Sequence, residues 1–477
     1  MSESLPWDLA VIGGGTAGLV ASRTAASFGA RVVLIEAGRL GGDCLWTGCV
    51  PSKSLIAAAD AASTARTSAP LGVHTGLVRV DFGQVMAHVQ SAMTEIAPVD
   101  SAESLVRDNI EVVLGRARFS GPRTLMVGSR SLRFRQALIA TGASPVRLTI
   151  PGIGAVDVLT SETFWNLRTL PPRLVILGGG AIGCEIAQAM ARLGSAVTLI
   201  QRGSRLLPKE DERASAIVTA ALRADGVEVL TGVTVTAATS ADRLSGTFTL
   251  GDGRLVRFDR ALVAHGRRPN TAGLDVERVG VQQESRGHIM VNSRLRTTNP
   301  RIWAAGDVTA LPQFTHTAGV NASVAATNAV LGLRRSVDSR AVPRVTFTHP
   351  EVAAVGLQAR DCSRSRHRVV THDHAHVDRA VTDGRQVGYT QLIVDRRGRV
   401  LGGTVVGPRA GETLGEIGLA VKNRLTTSAI AGTTHAYPTY NDGVWNAAVA
   451  DVHRRLQSGA LAAVTRTLRR LRAARMR

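Results

Sequence analysis

The chain has 477 residues, enough for about three domains at roughly 100–200 residues each. Hydrophobic residues make up 44% and charged residues 20%, a balance that excludes wholesale disorder, and no apolar run approaches the roughly 18–20 residues of a membrane span. Lys and Arg exceed Asp and Glu by 57 to 37, giving +20, yet only Lys53, Lys209 and Lys422 are lysines. The excess therefore reads as an arginine-rich composition, with no aromatic or motif support for nucleic-acid binding.

In chain order, the N-terminus enters an apolar strand by Trp7 with no basic-then-apolar leader, so a cytoplasmic protein is expected. Four cysteines are too few for a disulfide-stapled secreted chain. Residues 8–37 read as strand, glycine turn, small-residue helix and strand, with Gly13, Gly15 and Gly18 in a G-x-G-x-x-G pattern. The first glycine permits the turn, the second lets backbone approach a pyrophosphate, and the third lets helix and strand pack closely. The helix N-terminus then offers free N–H groups to phosphates. Glu36, 23 positions after Gly13, can accept hydrogen bonds from ribose hydroxyls.

The next segment, Gly41-Gly-Asp-Cys-Leu-Trp-Thr-Gly-Cys-Val-Pro-Ser-Lys53, carries Cys44 and Cys49. Its glycines and Pro51 predict a helix start, which lowers the pKa of a thiol at that end. In a cytosolic chain such a pair points to catalysis more than to a structural disulfide. Two thiolates also suit a soft cation, and a pair of core thiols is the remaining reading. Cys184 is expected to be packed and Cys362 to lie in a polar loop.

The βαβ pattern then recurs at residues 173–202, with Gly178, Gly180 and Gly183. Two such units imply two dinucleotides, or a duplication with one site lost. Here Gln201 stands 23 positions after Gly178 and Arg202 follows it. Glu36 would repel a 2′-phosphate, whereas Arg202 can pair with one, so the second site leans to NADPH over NADH. Near the end, Leu461, Val464, Leu468 and Leu471 recur at helical steps among Arg466, Arg469, Arg470, Arg472 and Arg475. This basic amphipathic helix is expected to pack its apolar stripe on the preceding domain, in preference to a membrane surface.

These motifs together resemble the class I pyridine nucleotide–disulfide oxidoreductases, the flavoprotein family of dihydrolipoamide dehydrogenase, glutathione reductase and mercuric ion reductase. The resemblance covers essentially the whole chain, and its most specific marker is the GGDCLWTGCVPSK segment. It implies an α/β fold: an FAD domain (1–150 and 271–341) split by an inserted NAD(P) domain (151–270), an α+β dimerisation domain (342–455) and a basic tail (456–477). It implies FAD as cofactor, no resident metal, a homodimer, and electrons passing from NAD(P)H through FAD and a Cys44–Cys49 disulfide to a small-molecule acceptor. Cys44 would exchange with substrate and Cys49 would face the flavin.

By the same resemblance Gly42, Arg116, Ala117, Thr141, Gly142 and Asp307 belong to the FAD site, and Gly266 to the end of the nicotinamide domain. Lys53 and Glu185 match a lysine–glutamate pair beside the flavin. In disulfide-reducing members a His-Pro-Thr segment with a following Glu supplies an acid/base from the partner subunit. Here Tyr437 stands at the His position, Asp442 at the Glu position, and His435 lies two residues earlier. A tyrosine with a pKa near 10 is a poor proton shuttle at neutrality. The mercuric-reductase-like branch carries Tyr there, and Gln313-Phe314 also resembles it, although this chain lacks that enzyme's C-terminal Cys-Cys pair. The acceptor is thus a soft metal ion, a quinone or a disulfide. The rival reading is a non-enzymatic flavin-bearing or soft-metal-binding protein that sequesters with its cysteines.

Overall fold

The computed structural model describes residues 5–363 and 365–476, and the side chains of these except 459–461. Contacts divide the chain into two compact units. One comprises Met1–Gly179, Ala189–Arg202 and Gly226–Val337; the other comprises Gly180–Gln188, Gly203–Asp225 and Asp338–Arg477.

The first unit opens with β1 (Trp7–Ile12), α1 (Thr16–Ser27) and β2 (Val32–Glu36), the expected βαβ unit, with β1 and β2 parallel. Val32 to Ile35 are all buried, the mark of a strand covered on both faces. Helix α1 buries Ala17, Gly18, Ala21 and Ala25, side chains small enough for close approach to the sheet. Two helices follow, α2 (Gly42–Trp46) and α3 (Cys49–Thr67). Strands β3 (Ile110–Leu114) and β4 (Arg130–Ile139) flank the first pair in the order β3-β2-β1-β4, and a later strand, Ile302–Ala304, pairs in parallel with β4. The antiparallel strands Ala117–Gly121 and Thr124–Val127 complete a seven-stranded sheet.

A second parallel sheet repeats the plan with β5 (Arg173–Leu177), β6 (Ala196–Gln201), β7 (Glu228–Thr231) and β8 (Arg260–Val263) in the order β7-β6-β5-β8. The helix α4 (Ala181–Leu193) connects β5 to β6, the second βαβ connection expected from sequence. In both sheets the glycine turns and the far ends of the second strands lie at the carboxyl edge, where ligands of open parallel sheets bind.

The second unit is built on a five-stranded antiparallel sheet. It runs Arg344–Thr346, Glu351–Gly356, Val400–Gly407, Tyr389–Asp395 and His367–Asp373. The segment from Pro343 to Gly356 forms two antiparallel strands joined through His349-Pro350. Val355, Leu392 and Val405 pack with Leu414 and Ile417 of Ala410–Asn423 and with Val444 and Ala448 of Asp442–Leu456. Each such fully buried aliphatic side chain contributes about 1.5–3 kcal/mol relative to exposure. The fold is the expected α/β architecture.

The last helix, Gly459–Arg475, departs from expectation. Its apolar stripe is not packed: Val464, Leu468 and Leu471 are 52%, 61% and 57% exposed. The Leu461 side chain lies outside the described residues. Among the described residues, no helix is long and apolar enough to cross a membrane.

Candidate active site

The glycine turn after β1 is a tight cradle. Gly13 has φ +109°, and a Cβ on Gly18 would lie 1.7 Å from the Gly13 carbonyl oxygen. Gly15 faces the Cα of Gly42, so the second glycine loop closes on the first. Glu36 ends β2 and accepts hydrogen bonds from Gly14 N at 2.5 Å and Gly38 N at 2.6 Å. Its backbone carbonyl receives Gly115 N, which sets exposed Arg116 and buried Ala117 beside the same sheet edge.

Thr141 and Gly142, after β4, meet the segment that follows β8. Thr141 Oγ1 donates to Asn270 O at 2.7 Å, and Asn270 N to Gly142 O at 3.0 Å. Gly266 accepts from Val146 N at 3.0 Å and has φ +149°. Two strand ends far apart in sequence are thereby brought together. Arg267 projects from this junction. Its Nη2 donates to Asp43 Oδ2 and to the Ala143 carbonyl, and its Nε lies 3.8 Å from Asp307 Oδ2. Burial raises the pKa of Asp307, and the Arg267 charge opposes that rise. Arg267 Nε and His288 Nδ1 are buried without a hydrogen-bond partner among the described residues. A backbone cradle, a carboxylate at the end of β2, and buried polar atoms without partners beside a second carboxylate fit a flavin dinucleotide.

Cys44 and Cys49 lie next to this cradle as thiols. Cys44 is in α2, while Cys49 opens the 19-residue α3, with Pro51 in its first turn. The helix start was expected to lower a thiol pKa. Cys44 shows the reverse: its hydrogen bond with Cys49, then burial and the neighbouring charge of Cys49, push it up. Two thiols this close share a proton more readily than they both ionise. Thr315 Oγ1 lies 3.3 Å from Cys49 Sγ. The segment is pinned along its length. Trp46 Nε1 donates to Leu40 O at 2.6 Å, and Trp165 Nε1 to Thr47 O at 2.9 Å.

The second glycine turn matches the first. Gly178 has φ +119°, and a Cβ there would lie 2.5 Å from Ala264 O. Gln201 Oε1 accepts from Gly179 N at 2.9 Å, the counterpart of Glu36 on Gly14. Gly180 has open space where a side chain would stand, and Gly183 lies in α4. Arg202 is exposed at the end of β6, and no carboxylate pairs with it among the described residues. His265 follows β8. Burial, then the charge of Arg202, lower its pKa.

Lys53 lies in α3 of the first unit. Glu185 belongs to the second unit, is nearly buried, and accepts from Phe347 N at 2.9 Å. Buried Cys184 has its thiol pKa raised by desolvation, as a packed cysteine should. In the interface unit, Tyr437 is 72% exposed and its hydroxyl donates to Asp378 Oδ2 at 2.5 Å, which raises its pKa. His435 instead turns inward. Its Nε2 pairs with Glu416 Oε1 and its Nδ1 with Thr433 O, each at 2.9 Å. Burial works against its charge, but these two bonds outweigh it and raise the pKa. Asp442 is buried and accepts from Thr439 N at 3.2 Å.

Sequence reading missed Thr315, Asp43 with Arg267, His265, Asp378 and Glu416. Thr315 and Arg267 reach the site from more than 200 positions away, so local spacing holds no signal for them. His265 and Asp43 were legible in principle. Each interrupts a glycine motif with an ionisable side chain.

Comparison with known proteins agrees with this geometry. Residues 7–322 match the family described as pyridine nucleotide-disulphide oxidoreductase, and residues 342–448 match its dimerisation domain. The chain belongs to the pyridine nucleotide-disulphide oxidoreductase family. Among curated relatives, mercuric reductase of Streptomyces lividans is 37% identical over 91% of this chain and 94% of that protein. Dihydrolipoyl dehydrogenase of Geobacillus stearothermophilus is 34% identical over 92% of this chain and 94% of that protein. Among solved structures, the Cu(II) complex of the HOCl-induced flavoprotein disulfide reductase RclA from Escherichia coli is similar, with TM-score 0.83 and 28% identity. That match covers 94% of this chain and all of the other. This chain is therefore a FAD-dependent, NAD(P)H-using oxidoreductase with a redox-active cysteine pair, in the mercuric-reductase-like branch. That membership removes the purely sequestering reading.

Proposed function

We propose that this protein is a cytoplasmic, homodimeric NADPH-dependent reductase whose acceptor is a soft, thiophilic metal ion, Hg(II) first among them. The observation that carries this reading is the pairing of two contacting thiols, Cys44 and Cys49, with Tyr437 where disulfide reductases hold a proton-shuttling His. A soft dication needs two sulfur ligands and no proton relay. The names of the curated relatives support the same substrate class.

In this reading Gly13, Gly15, Gly18, Glu36, Gly42, Arg116, Ala117, Thr141, Gly142 and Asp307 hold FAD, with Lys53 beside it. Gly178, Gly180, Gly183, Gln201, Arg202 and Gly266 hold the nicotinamide nucleotide. Bound flavin supplies a two-electron relay between NADPH and the cysteine pair. Cys44 and Cys49 each lose a proton as they take the dication between their sulfurs. Two electrons from NADPH then release the neutral metal atom, and the thiolates take protons back. NADPH and Hg(II) become NADP⁺, a proton and Hg(0). The upward shift of Cys44 makes metal binding proton-coupled, so acceptor affinity rises with pH. Tyr437 stays protonated at neutrality and offers a hydroxyl, while His435 is held on Glu416 as a structural pair.

The test is NADPH oxidation driven by Hg(II), Cu(II), a quinone and a small disulfide, in wild type and Cys44→Ser. Hg(II) turnover that falls at least about 100-fold in the flavin-replete variant is expected. Undiminished turnover in Cys44→Ser, or a clear preference for the disulfide or quinone, would overturn the reading. An anaerobic NADPH titration adds a second readout. A long-wavelength thiolate-to-flavin band at two electrons is expected, and simple bleaching would remove the cysteines from the path.

A further inference from the structure

The last helix, Gly459–Arg475, presents a surface that neither the redox centre nor the dimerisation sheet uses. Val464, Leu468 and Leu471 fall at steps of four and three, so they share one face. All three are more than half exposed. Arg466, Arg469 and Arg470 stand on the other faces, with Arg472 beside the stripe and Arg475 at its end, and all five are exposed. From residue 452 onward the sequence contains no Asp or Glu.

We propose that this helix docks the protein on an anionic lipid bilayer surface. Both halves of its chemistry find a partner there. The apolar stripe enters the boundary between headgroups and acyl chains, and the arginines meet anionic headgroups. Arg472 and Arg475 can bury their stems beside the stripe and keep their guanidinium groups at the headgroups. A second copy of the helix fits poorly, because it would set five arginines against five with no acid in the segment. Nucleic acid would satisfy the charge but leave the leucines in water, and the helix has no aromatic side chain to stack on bases. The inference goes beyond the acceptor assignment and stands whichever acceptor is used.

The experiment is co-sedimentation of the full flavin-loaded chain with vesicles of phosphatidylcholine, alone or with one-third phosphatidylglycerol. Binding at least about tenfold stronger to the anionic vesicles is expected, and weaker as salt rises. Leu468→Asp with Leu471→Asp retains every arginine and should abolish that binding. Because both leucines are exposed, flavin content and thermal midpoint should stay unchanged, which separates lost docking from lost folding. Equal binding by this variant would reduce the effect to generic basic charge and overturn the proposal. So would absence of binding at low salt. The same holds for a concentration-dependent self-association that the substitutions remove while vesicles go unbound.

Discussion

The two glycine-turn units perform the same backbone task, one with a charged acceptor and the other with a neutral one. At the end of β2 a carboxylate, Glu36, reaches back 2.5 Å to Gly14 N; at the end of β6 a carboxamide, Gln201, reaches back 2.9 Å to Gly179 N. Each holds a glycine turn open at the carboxyl edge of its sheet. What is kept is an acceptor oxygen at that position, and what is changed is the charge it carries. The first turn is then closed by the second glycine loop that leads to Cys44. The second is flanked by Arg202 and His265. In the proposed assignment the enclosed first turn suits a resident dinucleotide, and the open second turn beside Arg202 suits one that must come and go. Retaining the acceptor while discarding its charge shows that the turn geometry needs the oxygen and not its charge.

The sharpest way to break that comparison is at the third glycine of the first unit. A Cβ on Gly18 would sit 1.7 Å from the Gly13 carbonyl oxygen, a backbone atom that no side-chain rotation can move aside. Gly18→Ala should cost more than about 3 kcal/mol, with flavin lost and the thermal midpoint lowered by roughly 5 °C or more. Retention of stoichiometric flavin would mean that the turn relaxes and is not the cradle described. The next largest effect belongs to Arg202. Arg202→Glu removes a charge-assisted partner for a 2′-phosphate and adds repulsion. The ratio of kcat/KM for NADPH over NADH should fall by about 2 kcal/mol, or roughly 30-fold. An unchanged ratio would make Arg202 a solvated surface arginine.

Gly180→Ala is the counterpart that should leave the protein itself intact. No atom lies within 4 Å of the added methyl, so the thermal midpoint should hold to within about 0.5 kcal/mol of stability. In the proposed assignment the methyl would enter the space of the nucleotide's pyrophosphate. The Kd for NADPH should therefore rise about tenfold while flavin content is unchanged. A lower thermal midpoint with unaltered Kd would show that Gly180 serves packing.

The difference between these units was partly legible in the sequence. Both strand–turn–helix–strand runs, the position of Glu36 and its replacement by Gln201-Arg202 follow from spacing alone, because one chain segment contains the whole motif. The contacts that complete each site do not. Thr315, at the start of the helix Thr315–Leu331, reaches Cys49, and Arg267 reaches Asp43, only because the fold brings segments distant in sequence together. The thiol shift was misjudged for a related reason. A helix start is a local feature and argues for a lower pKa, but the nearest group to Cys44 is the other cysteine. The exposed stripe of the last helix was misjudged because periodicity reports an amphipathic face and not what covers it.

The finest test lies at His265, and it asks whether the second unit senses phosphate. In the folded protein its pKa is lowered, first by burial and then by Arg202. Between that lowered value and the ordinary one near 6.5, the unfolded chain binds more protons. His265 therefore makes the protein less stable as pH falls through this window, and the penalty disappears above it. A 2′-phosphate near Arg202 would offset the repulsion and draw a proton onto the imidazole. NADPH affinity should consequently rise a few-fold between pH 7.5 and pH 6 while NADH affinity changes less, as read from Kd by calorimetry at matched ionic strength. Arg202→Ala should raise the His265 pKa, observable by NMR titration. His265→Asn should flatten the NADPH pH dependence without moving that of NADH. If both nucleotides keep parallel pH profiles in every variant, His265 does not face the phosphate, and the charge asymmetry between the units rests on Arg202 alone.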